Sequence, residues 1–188
     1  MLFRSRLAAT LTGHPAEQIS AAIDVLERFD GAAALAPIAA DLVRAENPRL
    51  AYIGFGDHGA SALYAGLITK EGAKIAAEGY VGGQFRHGPF ELAGPGLTAV
   101  LFGAPDPADN QQLARIGADL LAAGSTVVAA AGLDLPTAAA YLPPPAANLT
   151  AQLTHGALVA QHLTVAIARA RGITPGAFAY GSKITTAL

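Results

Sequence analysis

The 188-residue sequence predicts an α/β fold, a three-layer α/β/α sandwich around a five-stranded parallel sheet. Three observations carry that prediction. Short apolar runs alternate with stretches of helical period along most of the chain. The strand candidates are apolar at consecutive positions, as strands covered on both faces are. The composition, 52% hydrophobic and only 14% charged, supplies enough apolar surface for one buried core in a chain of this length.

Residues 1–13 read as the tail of something earlier rather than the start of a fold. From Pro15, the residues Ile19, Ile23, Leu26 and Phe29 recur at helical spacing until Asp30-Gly31 closes the pattern. A second helix is predicted over 33–45, with Leu35, Ile38 and Leu42 facing inward and Asn47-Pro48 as its stop. These two helices form a lead-in, 1–46, which either belongs to a preceding lobe or packs on the sheet. The sheet-bearing domain is 47–188. Its first strand is 49–55 (RLAYIGF), followed by a helix through Leu63, Leu67 and Ile68 to about Gly72. Strands are predicted at 74–77, 97–102, 125–131 and 139–142, with a helix over 109–123 between the third and fourth. Prolines 143–145 form a rigid connector, 149–171 a long helix, and 172–188 a tail that drapes over the domain.

Composition excludes several classes of function. No cysteine is present, so disulfides, thiolate catalysis and cysteine-held metals are ruled out. A net charge of -2 with 12 Lys+Arg and no basic run gives no electrostatic footprint for nucleic acid. No apolar run reaches the roughly 18 residues of a membrane span, and the start lacks the apolar core of a signal peptide. A soluble, cytoplasmic protein is expected. His155 and His162 lie seven apart on one helix face, but no third ligand stands out, so packing rather than a metal site is expected.

The turn after the first strand, GFGDHGAS, belongs at the carboxyl end of the sheet, where ligands bind in such folds. Gly54, Gly56 and Gly59 spell G-x-G-x-x-G, and Glu78 follows about 20 residues on, as in a dinucleotide site. The same glycines also serve a tight turn that packs helix on strand. A dinucleotide-binding Rossmann domain therefore stands as the weaker alternative.

The segment 70–92, KEGAKIAAEGYVGGQFRHGPFEL, holds the richest acid–base chemistry: Glu71, Glu78 and His87 before Gly88-Pro89. Glu71 sits beside Lys70 and three residues before Lys74, which also fits a solvated ion pair at a helix end. With the tail RGITPGAFAYGSKITT, this segment resembles the second lobe of the sugar isomerase (SIS) domain family, as in the isomerase half of glutamine–fructose-6-phosphate aminotransferases. The resemblance runs from about Arg49 to the C-terminus, and Phe85-Arg86-His87-Gly88-Pro89 after Glu78-Gly79-Tyr80 is its most specific motif.

That resemblance implies a flavodoxin-like five-stranded sandwich and a cofactor-free, metal-free site for a phosphorylated sugar. Glu71 falls on the family's catalytic glutamate, which moves a proton between two carbons of an aldose–ketose pair. His87 falls on a ring-opening histidine contributed by a neighbouring subunit, and Lys183 on a tail lysine that approaches the open-chain sugar. Gly56, Ser61, Glu78 and Arg86 are implied as substrate-binding or supporting residues. A homodimer, or pairing with a first SIS lobe, is implied as well. The activity implied is isomerase- or aminotransferase-type proton transfer on a hexose 6-phosphate, with a non-catalytic phosphosugar-sensing module as the alternative.

Departures from the family pattern bear on that expectation. Ile68 stands where the aminotransferases have a lysine, Tyr64 where they have a glutamate, and Phe178-Ala179 where they have Pro-Arg. The turn after the third strand, Gly103-Ala104-Pro105-Asp106-Pro107, has no hydroxyl and an acidic group, with Asp109 just beyond, so it is no phosphate cradle. The chain therefore reads as only half of a sugar-phosphate site.

Overall fold

The computed structural model describes residues 16–142 and 148–180. Residues 1–13, the first stretch of the expected lead-in, the three prolines and Lys183 lie outside the described residues. Five strands form one wholly parallel sheet: β1 (Arg49–Gly54), β2 (Ala77–Val81), β3 (Leu97–Phe102), β4 (Thr126–Ala130) and β5 (Ala140–Leu142), in the order β2-β1-β3-β4-β5. Helices α1 (Ala16–Arg28), α2 (Ala32–Arg44), α3 (His58–Ala73), α4 (Pro107–Ala122) and α5 (Leu149–Ala170) complete the layers. The α/β sandwich expected from the sequence is the fold observed.

The period-2 geometry of the strands divides the core in two. Leu50, Tyr52, Val100, Phe102, Val128 and Ala130 face one layer, where Leu35, Ile38 and Leu42 of α2 and Val159, Leu163 and Ile167 of α5 meet them. Ala51, Ile53, Ala99, Leu101, Val127 and Ala129 face the other, against Leu113, Ile116 and Leu120 of α4. Phe85 joins that second layer from a 3-10 turn, Gly82–Arg86, that follows β2. Helix α5 packs against α1, α2 and α3, so it is the spine of the first layer.

One expectation needs correction. The second strand is Ala77–Val81, not 74–77. Lys74 instead caps α3 in a left-handed conformation, φ 53°, so the chain cannot run extended until after it. Helix α3 runs through Leu63 and Leu67 as expected, but these leucines are 55% and 53% exposed, and its buried face is Ala62, Ala65, Gly66, Thr69 and Ala73. The reason is the close approach of α3 to β2. A Cβ on Gly66 would lie 2.8 Å from the Gly79 nitrogen, and one on Gly79 would lie 2.4 Å from the Ala62 carbonyl oxygen. Only small residues fit there, so the leucines turn outward. On α1 the buried residue is Val25, and Leu26 is half exposed.

Candidate functional site

Helix α3 starts at the carboxyl end of β1 and runs back along the sheet. The turn that holds Gly56 and the helix end that holds Glu71 therefore lie at opposite ends of the domain. Ser61 and Glu71 are ten residues apart on this helix, about 15 Å along its axis. One domain thus presents two separated places rather than one.

At the far end, α3, α5 and the segment after α5 line an open cavity of about 350 Å3. Tyr64, Ile68 and Glu71 line it from α3, Gln161, Thr164 and Val165 from α5, and Pro175, Gly176 and Phe178 from the following segment. The chain after α5 is tied down there, because the Gly176 nitrogen donates to the Gly72 carbonyl over 3.2 Å. Gln161 Nε2 donates to the Tyr64 hydroxyl over 2.8 Å and joins the two helices at the cavity wall. Glu71 is the only charged residue among the described lining residues. Its neighbours do not neutralise it. Lys70 pairs with Glu78 at 3.4 Å, and the Lys74 ammonium donates to the Glu71 backbone carbonyl rather than to its carboxylate. The helix-end ion pair that the sequence also allowed is therefore absent among the described residues.

At the carboxyl end of β1, the glycine turn has a packing explanation. A Cβ on Gly54 would lie 2.0 Å from the His58 carbonyl oxygen, and one on Gly59 would lie 2.7 Å from Val81 Cγ1. Gly56 adopts φ +52°, the left-handed region, to turn the chain into α3. Ser61 is buried, with its hydroxyl 3.1 Å from His58 Nδ1. His58 and His155 are fully and almost fully buried, and His58 Nε2 and His155 Nδ1 have no hydrogen-bond partner within the described chain. Burial pushes both imidazoles down to about 4, with the neighbouring His58 adding to the effect on His155 and Asp57 opposing it on His58. The Phe29 ring packs on His155 at 5.2 Å and on His162 at 4.9 Å, so the two helix-face histidines do serve packing.

His87 and Arg86 lie elsewhere again. They end the 3-10 turn whose Phe85 is buried in the α4 layer, whereas α3 buries its residues in the opposite one. His87 is exposed. Arg86 donates to Asp119 of α4 over 2.6 Å and lies over the Phe90 ring at 5.6 Å. No hydrogen bond or ion pair joins His87 to Glu71 among the described residues, and none of Gly56, Ser61, Glu78 or Arg86 lines the Glu71 cavity.

The loop after β3 is closed to an anion. The Asp106 side chain accepts from the Ala108 nitrogen over 2.7 Å and occupies the start of α4. Asn110 bonds both the nitrogen and the carbonyl oxygen of Ala104, each at 2.7 Å. Donors that would otherwise cradle a phosphate are used within the loop.

Over 95 residues, 50% of the chain, the sequence is 34% identical to the glutamine–fructose-6-phosphate aminotransferase of Caulobacter vibrioides, a match that covers 15% of that protein. The C-terminal domain of glucosamine-fructose-6-phosphate aminotransferase from Francisella tularensis superposes with a TM-score of 0.66 at 17% identity. That match covers 87% of this chain and 46% of the other. The chain has a sugar isomerase (SIS) fold. A candidate phosphosugar isomerase from Silicibacter pomeroyi also shares it, with a TM-score of 0.61 and 28% identity over 85% of this chain and 49% of that one. No family model matches the sequence. The chain spans about half the length of the solved chains named here, and 15% of the curated relative.

Sequence reasoning singled out Glu71 but missed the residues around it. Gln161 and Thr164 carry no motif, and only the contact of α3 with α5 brings them to the cavity. Their spacing from each other on one helix face was the sole signal.

Proposed function

We propose that this SIS domain binds a phosphorylated sugar with the sugar chain beside Glu71, and that Glu71 is the base of an aldose–ketose proton transfer. The observation that carries this reading is the Glu71 carboxylate, free of ion pairs among the described residues, at the wall of a cavity large enough for a hexose. In this reading the carboxylate takes a proton from the carbon next to the sugar carbonyl. It returns that proton to the former carbonyl carbon through an enediol, while the hydroxyl proton passes to the former carbonyl oxygen, so atoms and charge are conserved.

The phosphate is held elsewhere. The α4 loop is self-satisfied, and Glu71 would repel a dianion in its own cavity. A second lobe or a second copy of the chain supplies the cradle. His87 then serves the ligand of a neighbouring copy, since it sits on the other side of the sheet from the Glu71 cavity. Arg86 and Glu78 support the site by holding the His87 turn on α4 and Lys70 away from Glu71, and Gly56 and Ser61 shape the carboxyl-end turn. Lys183 is five residues beyond Phe178 in sequence and is proposed to approach the same cavity.

The missing cradle also favours a second reading, a module that senses the phosphosugar without turning it over. Solvent deuterium exchange into fructose 6-phosphate separates the two. Exchange that is lost in Glu71→Gln supports catalysis. Binding without exchange supports the sensor.

A further inference from the structure

A second cavity, of about 250 Å3, lies between α4 and the 3-10 turn that follows β2. Its floor is Phe55 and Ile116, both buried in the α4 layer. Its rim is Gly83 and Arg86 from the turn, with Gln112 and Arg115 from α4. Every polar side chain there carries N–H donors, and no acidic residue is part of the described lining.

The charge at this rim is unbalanced. Arg86 donates to Asp119 over 2.6 Å and lies over the Phe90 ring, which fixes its guanidinium at the cavity edge. That bond uses one of the five N–H groups of the guanidinium and leaves the others available. Arg115 stands one turn before Asp119 on α4, yet makes no hydrogen bond or ion pair among the described residues. Two arginines therefore face one aspartate, in a chain whose net charge is -2.

Gly83 supplies an independent observation. Its backbone is not in the left-handed region, and a Cβ built on it would meet nothing within 4 Å. Neither chain conformation nor packing calls for a glycine at this position. Gly54 and Gly79, by contrast, would drive a Cβ into backbone atoms. What the missing side chain at Gly83 does is keep the cavity open beside the two arginines.

We infer that the α4 cavity is a binding site for a phosphate group, held between Arg115 and Arg86. A single guanidinium fork matches a carboxylate or a phosphate equally well. Two forks from separate elements need more oxygens than a carboxylate offers, and a tetrahedral phosphate presents an edge to each. The small volume and the apolar floor admit the free ion or the phosphate end of a short ester. The inference stands apart from the reading of Glu71, because the two cavities share no lining residue and lie against opposite faces of the sheet.

The test is nitrogen-15 NMR titration of the whole chain with inorganic phosphate and, separately, with glycerol 3-phosphate, each against chloride at matched ionic strength. Saturating shift changes at Gly83, Arg86, Gln112 and Arg115 with inorganic phosphate support the site and make the free ion a sufficient ligand. Changes there with glycerol 3-phosphate alone support it and make the ligand a phosphate ester. Arg115→Gln is expected to weaken that binding about tenfold, and Gly83→Leu, which fills the opening, to weaken it at least as much. Arg115 is exposed, so Arg115→Gln should fold like the parent. Changes that chloride reproduces, or no change with either phosphate, overturn the inference. So does an Arg115→Gln chain that binds as tightly as the parent.

Discussion

Acidification is expected to unfold this domain well before its surface carboxylates alone would require. His58 and His155 are neutral in the fold, with pKa values of about 4, whereas an unfolded histidine titrates near its ordinary 6.5. The folded values are depressed, so the stabilisation is fully present above pH 6.5 and is lost as pH falls from 6.5 toward 4. Each histidine should cost about 1.4 kcal/mol between pH 7.5 and pH 5.5, because the unfolded chain gains a proton that the fold refuses. The pair together should cost about 3 kcal/mol, a large share of the roughly 5–15 kcal/mol that holds a domain together. Urea unfolding followed by circular dichroism reads this directly. With a slope of about 2 kcal/mol per molar, the midpoint should fall by about 1.4 M over that pH interval. In His155→Leu the fall should be about half as large. A midpoint unchanged between pH 7.5 and 5.5, or an equal fall in His155→Leu, would refute the assignment of these histidines as buried and neutral.

Three further outcomes are expected. Gly79→Ala drives a methyl group into the Ala62 carbonyl, 2.4 Å away, and should cost at least about 2 kcal/mol in urea unfolding. Asp106→Ala removes the cap of α4 and should cost about 1 kcal/mol in the same assay. Glu71→Gln removes an exposed carboxylate that has no ion-pair partner among the described residues, so its melting curve should stay within about 0.5 kcal/mol of the parent while deuterium exchange into fructose 6-phosphate disappears.

The fold was legible because its strands are apolar on both faces and its helices are periodic. RLAYIGF and LTAVLF could form little else, and the third strand matched residue for residue. The second strand was misplaced because its own sequence, AEGYV, is weak. Its position is set by Gly79 fitting under Ala62, a contact between residues seventeen apart that no local pattern shows. The outward turn of Leu63 and Leu67 has the same cause. At the site, Glu71 was legible through its spacing to His87. What the spacing concealed was that the two lie on opposite sides of the sheet. The places of Gln161 and Thr164 at the cavity depend on how α5 crosses α3, so the linear sequence showed little of them. The buried His58–His155 pair likewise joins residues 97 positions apart, and each looks ordinary in its own helix.

The most direct test of the central claim is nitrogen-15 NMR mapping of fructose 6-phosphate on the whole chain. Shift changes concentrated at Tyr64, Ile68, Glu71, Gln161, Thr164 and Val165 would place the sugar in the α3–α5 cavity, as expected here. Changes centred on Gly56, Ser61 and the α4 loop, with the cavity residues unmoved, would contradict the account and return the ligand to the carboxyl end of the sheet.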